Sequence, residues 1–141
     1  MAPVKVLFLC VGNAVRSQMA EGFARALGGD RVDARSGGSA PAGFVAPKAI
    51  AVMAERGIDI SGQRSKGIDW DFMEQADAVV STCHEAQDAC PIPFRSDAHR
   101  WSIADPMGQG LEGYRAVRDE VEGRVRALLR ELGLAGPDEK P

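Results

Sequence analysis

The apolar run Val6-Leu7-Phe8-Leu9 leads directly into Cys10-Val11-Gly12-Asn13-Ala14-Val15-Arg16-Ser17. This order reads as a strand, a tight loop and the start of a helix. A cysteine opens the loop and an arginine closes it. In open parallel sheets, ligands bind beyond the carboxyl ends of the strands, and Cys10 falls at that edge. The N-terminus of the helix that follows attracts anions and favours a thiolate. Arg16 adds a planar fork matched to two oxyanion oxygens. Gly12 suits a positive-φ turn within an anion nest. Ser17 can donate its hydroxyl to the Cys10 sulfur, and the Asn13 side chain can steady the loop. Val11, Gly12, Asn13, Ala14, Val15, Arg16 and Ser17 are therefore the candidate oxyanion-binding residues, with Cys10 as the nucleophile.

Downstream, apolar runs alternate with helical patterns. Val4–Leu9, Val32–Ser36 and Ala76–Thr82 read as strands, and Trp101 and Ile103 suggest a short fourth. Arg16–Leu27 reads as a helix ended by Gly28-Gly29, and a second runs from Pro47 to about Arg56, stopped by Gly57. Phe72–Gln75 reads as a single turn. Over Leu111–Leu132, Val117, Val121, Val125, Leu128, Leu129 and Leu132 make one apolar helix face. This alternation predicts one α/β domain over residues 1–136, an open, mostly parallel four-stranded sheet with helices on both faces. Residues 137–141 are expected to fray.

The chain has 141 residues, 45% of them apolar, enough for a core of its own. Its net charge is −3, with basic residues scattered among acids, which argues against a nucleic-acid partner. No run approaches the roughly 20 apolar residues of a membrane span, and no secretory layout is evident, so a cytoplasmic protein is expected. Three cysteines are an odd number, and in a reducing compartment they are expected to be thiols that carry chemistry. The last helix pattern has enough polar surface to be the exterior of a monomer.

Cys83 ends the third apolar run, at the same sheet edge as Cys10, and Cys90 follows it in Cys83-His84-Glu85-Ala86-Gln87-Asp88-Ala89-Cys90. In a helix those two cysteines would be about 10 Å apart along the axis, whereas a disulfide needs Cα atoms within about 7 Å. Pairing them requires the segment to unwind or loop back. Asp105 precedes Pro106, so its backbone is expected to be extended and its carboxyl can project into a site. His84 and His99 have no partner at metal-ligand spacing, and no bound metal is expected.

Residues 6–22, Val-Leu-Phe-Leu-Cys-Val-Gly-Asn-Ala-Val-Arg-Ser-Gln-Met-Ala-Glu-Gly, resemble the phosphate-binding loop of the low-molecular-weight tyrosine phosphatase fold, and most of all its arsenate reductase branch. The resemblance extends over about residues 4–132, and the Ser-Gln-Met-Ala-Glu-Gly continuation is more specific than the loop itself. It implies that Cys10 attacks arsenate, that Cys83 attacks Cys10 with release of arsenite, and that Cys90 then attacks Cys83. External thioredoxin would reduce the Cys83–Cys90 disulfide. It also implies that Asp105 is the general acid.

Some relatives hold a potassium ion through side chains matched here by Asn13, Glu21 and Ser36. Lys66 stands where their acid is expected, either as an ammonium in the cation's place or as a solvated charge, and no tight potassium site is expected. Val15 stands where several relatives carry an extra cysteine. The rim aromatics of tyrosine phosphatases are missing, since the single tyrosine, Tyr114, lies in the last helix pattern. Cys10, Arg16 and Asp105 also suit a phosphatase with two redox-protective cysteines, and a non-catalytic oxyanion-responsive redox switch is a third reading.

Overall fold

The computed structural model describes residues 2–84 and 97–134. Val6, Leu7, Phe8 and Leu9 of strand β1 (Val4–Cys10) are all fully buried. A strand covered on both faces explains a continuous apolar run in place of an alternating one. β1 pairs in parallel with β2 (Val32–Gly38) on one side and β3 (Ala78–Ser81) on the other, and β4 (His99–Arg100) adds beyond β3. The order is β2-β1-β3-β4, all parallel, as expected for one α/β domain.

The pleat of β1 divides the core. Val6 and Phe8 join the larger cluster, built with α1 (Arg16–Gly28), α2 (Pro47–Ala54) and α4 (Leu111–Glu131). Leu7 and Leu9 point the other way and pack with Phe72 and Met73 of α3 (Trp70–Gln75). Helices therefore cover both faces. Asp69 starts α3 by accepting the Phe72 N–H at 2.9 Å, an N-cap of the ordinary kind. On α4 the residues Val117, Val121, Val125, Leu128 and Leu129 are all buried, which is the predicted face.

The predicted fourth strand is displaced. The ladder lies at His99–Arg100, and the Trp101 N–H closes it by donating to the Ser81 carbonyl at 2.8 Å. Trp101 packs on Phe8 with ring centroids 5.8 Å apart, and Ile103 is fully buried. The apolar signal at these positions reports core contacts of an extended segment, not a ladder. α2 is shorter than predicted and ends at Ala54, and Gly57 then turns the chain at φ +74°. β3 is also shorter, because Ala76 caps α3. The predicted tail over 137–141 lies outside the described residues.

An ionic clamp joins the end of α2 to α4. The Arg115 Nη2 sits 2.8 Å from Glu55 Oε2, and the Arg118 Nη1 sits 2.6 Å from Glu55 Oε1 and 3.0 Å from the Val52 carbonyl. The hydrogen bonds from Arg115 and then Arg118 hold the Glu55 carboxyl down at about 2. A depressed carboxyl stabilises the fold above its ordinary value, and that stabilisation is lost as pH falls through the folded value. Glu55→Gln should therefore lower stability in urea unfolding at pH 6. The gap to the wild type should close as pH falls from about 4.5 towards 2.

Candidate active site

The Cys10–Ser17 loop is shaped by bonds to its carbonyls. Cys10 O accepts the Ser39 N–H (3.3 Å), Val11 O that of Ala40 (2.9 Å), Gly12 O that of Ala42 (2.9 Å) and Ala14 O that of Ala46 (3.0 Å). The Ser65 hydroxyl also donates to Gly12 O at 3.0 Å. The N–H and C=O of a planar trans peptide point in opposite directions. Carbonyls fastened to the 39–46 segment therefore turn the N–H groups of Val11, Gly12, Asn13 and Val15 to the opposite side. The Asn13 N–H lies 3.0 Å from the Cys10 Sγ. The close approach needs glycine at position 38, where a Cβ would lie 2.4 Å from the Val11 oxygen.

The left-handed residue of the loop is Asn13, at φ +49°, not the expected Gly12. An Asn tolerates this region better than most side chains, and here its own bonds hold it. Asn13 Nδ2 donates to Ser17 Oγ at 2.8 Å, and Ser17 Oγ is 2.8 Å from the Cys10 Sγ. The Asn13 N–H and the Ser17 hydroxyl thus converge on the sulfur. Helix α1 has no side-chain N-cap, so its first-turn N–H groups are left to the loop and to an incoming anion.

Arg16 is only 4% exposed. Its Nη1 donates to the carbonyls of Ile103 (2.9 Å) and Thr82 (3.3 Å), and its Nη2 lies 3.6 Å from Asp105 Oδ2. Two buried carbonyls therefore aim the fork. Asp105 is set by a local turn in which its Oδ1 accepts the Met107 N–H at 3.0 Å. A cavity of about 240 Å³ is lined by residues 10–16 together with Ala42, Asp105 and Met107.

Cys10, Val11, Gly12, Asn13, Ala14, Val15, Arg16 and Asp105 are thus brought to one cavity. Ser17 lies behind it, fully buried against the Cys10 sulfur, and does not line it. Cys83 is buried two residues beyond β3, the strand that neighbours β1. Cys10 is a free thiol and Cys83 is disulfide-bonded. Cys90 lies outside the described residues.

Pattern reasoning missed Ala42, Met107 and the anchoring 39–46 segment. The last carries no pattern signal, because backbone-to-backbone bonds leave no side-chain signature. Tyr114 is buried in α4, and its hydroxyl contacts the Met107 Sδ at 3.3 Å. Burial, and then the Asp105 charge, push the phenol above its ordinary value, so it stays neutral at physiological pH.

Lys66 lies among Asn13, Glu21 and Ser36. The Lys66 Nζ lies 3.2 Å from Ser36 Oγ and 3.4 Å from Glu21 Oε1, and its backbone N–H donates to Asn13 Oδ1 at 2.9 Å. An ammonium thus already engages two of those groups, and Glu21 is also paired with Arg25 at 2.9 Å. Among the described residues no cluster of His, Cys, Asp and Glu could hold a metal ion.

Residues 5–135 match the family model of the low molecular weight phosphotyrosine protein phosphatases. The chain belongs to this family. Within it, the chain is 41% identical over 124 residues to arsenate reductase 2 of Staphylococcus haemolyticus (strain JCSC1435), covering 87% of this chain and 94% of that protein. A solved arsenate reductase in its phosphate-binding state superimposes with a TM-score of 0.80 at 40% identity, over 91% of this chain and 98% of the other. The thioredoxin-dependent arsenate reductase of Corynebacterium glutamicum superimposes with a TM-score of 0.73 at 30% identity, over 94% of this chain and 64% of that one.

Two substitutions check this geometry. Arg16→Lys should weaken phosphate binding at least tenfold by calorimetry, about 1.4 kcal/mol, because an ammonium cannot reproduce the fork. Gly38→Ala should cost about 1–3 kcal/mol in unfolding free energy, the usual price of an overpacked contact, and should weaken phosphate binding with it.

Proposed function

We propose that this chain reduces arsenate to arsenite, with Cys10 as the nucleophile, Cys83 and Cys90 as successive resolving thiols, and thioredoxin as the reductant. The observation that carries the reading is the Cys10 sulfur, set under inward-facing amides beside an anchored Arg16, with a second cysteine just beyond the neighbouring strand. The close similarity to proteins named arsenate reductases supports the substrate.

Arsenate has the charge and tetrahedral shape that the amide loop and the Arg16 fork suit. The Cys10 thiolate attacks arsenic, a sulfur–arsenic bond forms, and one oxygen leaves as water. Asp105 supplies the proton, and Arg16, once engaged by the oxyanion, no longer holds that carboxyl. The Cys83 thiolate then attacks the Cys10 sulfur. The sulfur–arsenic bond breaks, its electron pair stays on arsenic, and arsenite departs from a Cys10–Cys83 disulfide. Cys90 attacks Cys83 and frees Cys10 as a thiolate. Thioredoxin reduces the resulting Cys83–Cys90 disulfide by the same exchange. A cytoplasmic setting would keep the three cysteines reduced between turnovers, whereas Cys83 is disulfide-bonded in the structure.

The position of Asp105 beside Arg16 also favours a second, weaker activity on phosphate monoesters, in which the same acid protonates the leaving alcohol. The cavity wall beside it is Met107 and Ala42, and among the described residues no aromatic ring lines it.

The test is NADPH consumption with arsenate, thioredoxin and thioredoxin reductase. The wild type should turn over. Cys10→Ser should abolish both turnover and aryl phosphate hydrolysis, whereas Cys90→Ser should abolish turnover and spare the hydrolysis. Loss of both activities in Cys90→Ser would contradict the relay.

A further inference from the structure

Asn13 sits in a backbone region that costs an ordinary residue energy and persists only where the surroundings over-determine it. The residue that surrounds it is Gln18, which is fully buried in the first turn of α1. Its Nε2 lies 3.0 Å from the Asn13 carbonyl, 2.9 Å from Asn13 Oδ1 and 2.7 Å from the Arg64 carbonyl. Its Oε1 accepts Gln63 Nε2 at 2.7 Å, and the same Gln63 nitrogen lies 3.1 Å from the Gln18 carbonyl. The orientation follows from the chemistry. Three oxygens face one end of the amide and a donor faces the other, so the reversed amide would set oxygen against oxygen.

We propose that Gln18, fastened by Gln63, is a positioning residue that holds Asn13 left-handed and thereby aims the Asn13 N–H and side chain at the Cys10 nucleophile. The inference rests on Cys10 being the attacking group. The route is short: Gln18 grips both oxygens of Asn13. The Asn13 N–H then meets the Cys10 Sγ at 3.0 Å, and its Nδ2 holds Ser17 Oγ, itself 2.8 Å from that sulfur. No other side chain type of this length offers two donor hydrogens to the carbonyls and an acceptor to Gln63. A carboxylate at position 18 would repel the three oxygens, and a hydrocarbon would leave Asn13 Oδ1 to the Lys66 N–H and the Arg64 carbonyl to the Lys66 Nζ, while taking the Gln18 donor from the buried Asn13 carbonyl.

The test is the rate of Cys10 alkylation by iodoacetamide, read on the Cys10-containing peptide by mass spectrometry across pH, beside melting temperature. For Gln18→Leu, which keeps volume and removes the amide, alkylation at pH 7 should fall at least tenfold, and the deficit should narrow as pH rises. Gln63→Ala, at a half-buried loop position that leaves Gln18 in place, should show the same pattern about threefold. A glycine occupies φ near +50° without a clamp, so the Gln18→Leu effect should shrink to less than threefold in an Asn13→Gly background.

A lowered melting temperature with wild-type alkylation at every pH would overturn the proposal, as would full additivity of Gln18→Leu and Asn13→Gly. If Gln18→Leu does not fold, Gln63→Ala decides: slowed alkylation at pH 7 supports the clamp and an unchanged rate overturns it. The readout uses neither arsenate nor thioredoxin. A reactive wild type with an equally reactive variant sinks this inference alone, whereas a wild-type Cys10 inert at every pH sinks it together with the nucleophile.

Discussion

The outward fastening of four loop carbonyls to the 39–46 segment is the constraint on which the rest of this molecule depends. An amide nest that gathers an anion has its N–H groups turned one way, and planar peptides allow that only where the carbonyls are satisfied on the other side. Here the satisfaction is provided by backbone that follows β2, the strand beside β1, and the approach is close enough to need a glycine at position 38. The sheet order β2-β1-β3-β4 has a direct chemical consequence. β2 delivers the anchoring segment to one side of the Cys10 loop, and β3 delivers the Thr82 carbonyl and Cys83 to the other.

The first turns of α1 extend the same logic. Arg16, Ser17, Gln18 and Glu21 are all buried, an unusual set for the start of a helix. Each is spoken for: Arg16 by two carbonyls, Ser17 by sulfur and Asn13, Gln18 by Asn13 and Gln63, Glu21 by Ser36, Arg25 and Lys66. Buried polar groups are tolerable only in such fully satisfied networks, and these also rigidify what they touch. A preformed loop lets binding energy act on the oxyanion, with little spent on ordering the chain. On the proposed reading, the phosphatase-like loop and the acid are common to both activities and the resolving thiols decide the chemical outcome, so that a reductase and a weak phosphatase would share one cavity.

The legible parts of the sequence were those where one local stretch carries both the backbone signal and the chemistry. Cys10–Ser17 announced a strand, a loop and a helix, and the structure places Cys10 to Arg16 around one cavity. The long amphipathic α4 was equally plain. The failures have physical reasons. Trp101 and Ile103 read as a strand because they are buried, yet the ladder lies just before them. Gly12 was expected to carry the positive φ on conformational freedom alone, whereas Asn13 carries it because its side chain is bonded there. Gln18 could not be found by periodicity, since a polar residue in a helix is ordinarily read as a solvent-facing position. Lys66 was legible as a departure from the resembled pattern, but its contacts with Glu21 and Ser36 depend on a loop folding back across 45 and 30 residues of sequence.

The most direct measurement is a single turnover. The fully reduced chain is mixed with excess arsenate and no added reductant, and arsenite and the thiol state of each cysteine peptide are quantified. The account predicts one arsenite per chain and the loss of two thiols, those of Cys83 and Cys90, with Cys10 recovered free. No arsenite with three intact thiols, or a final state in which Cys10 is the oxidised residue, would contradict it.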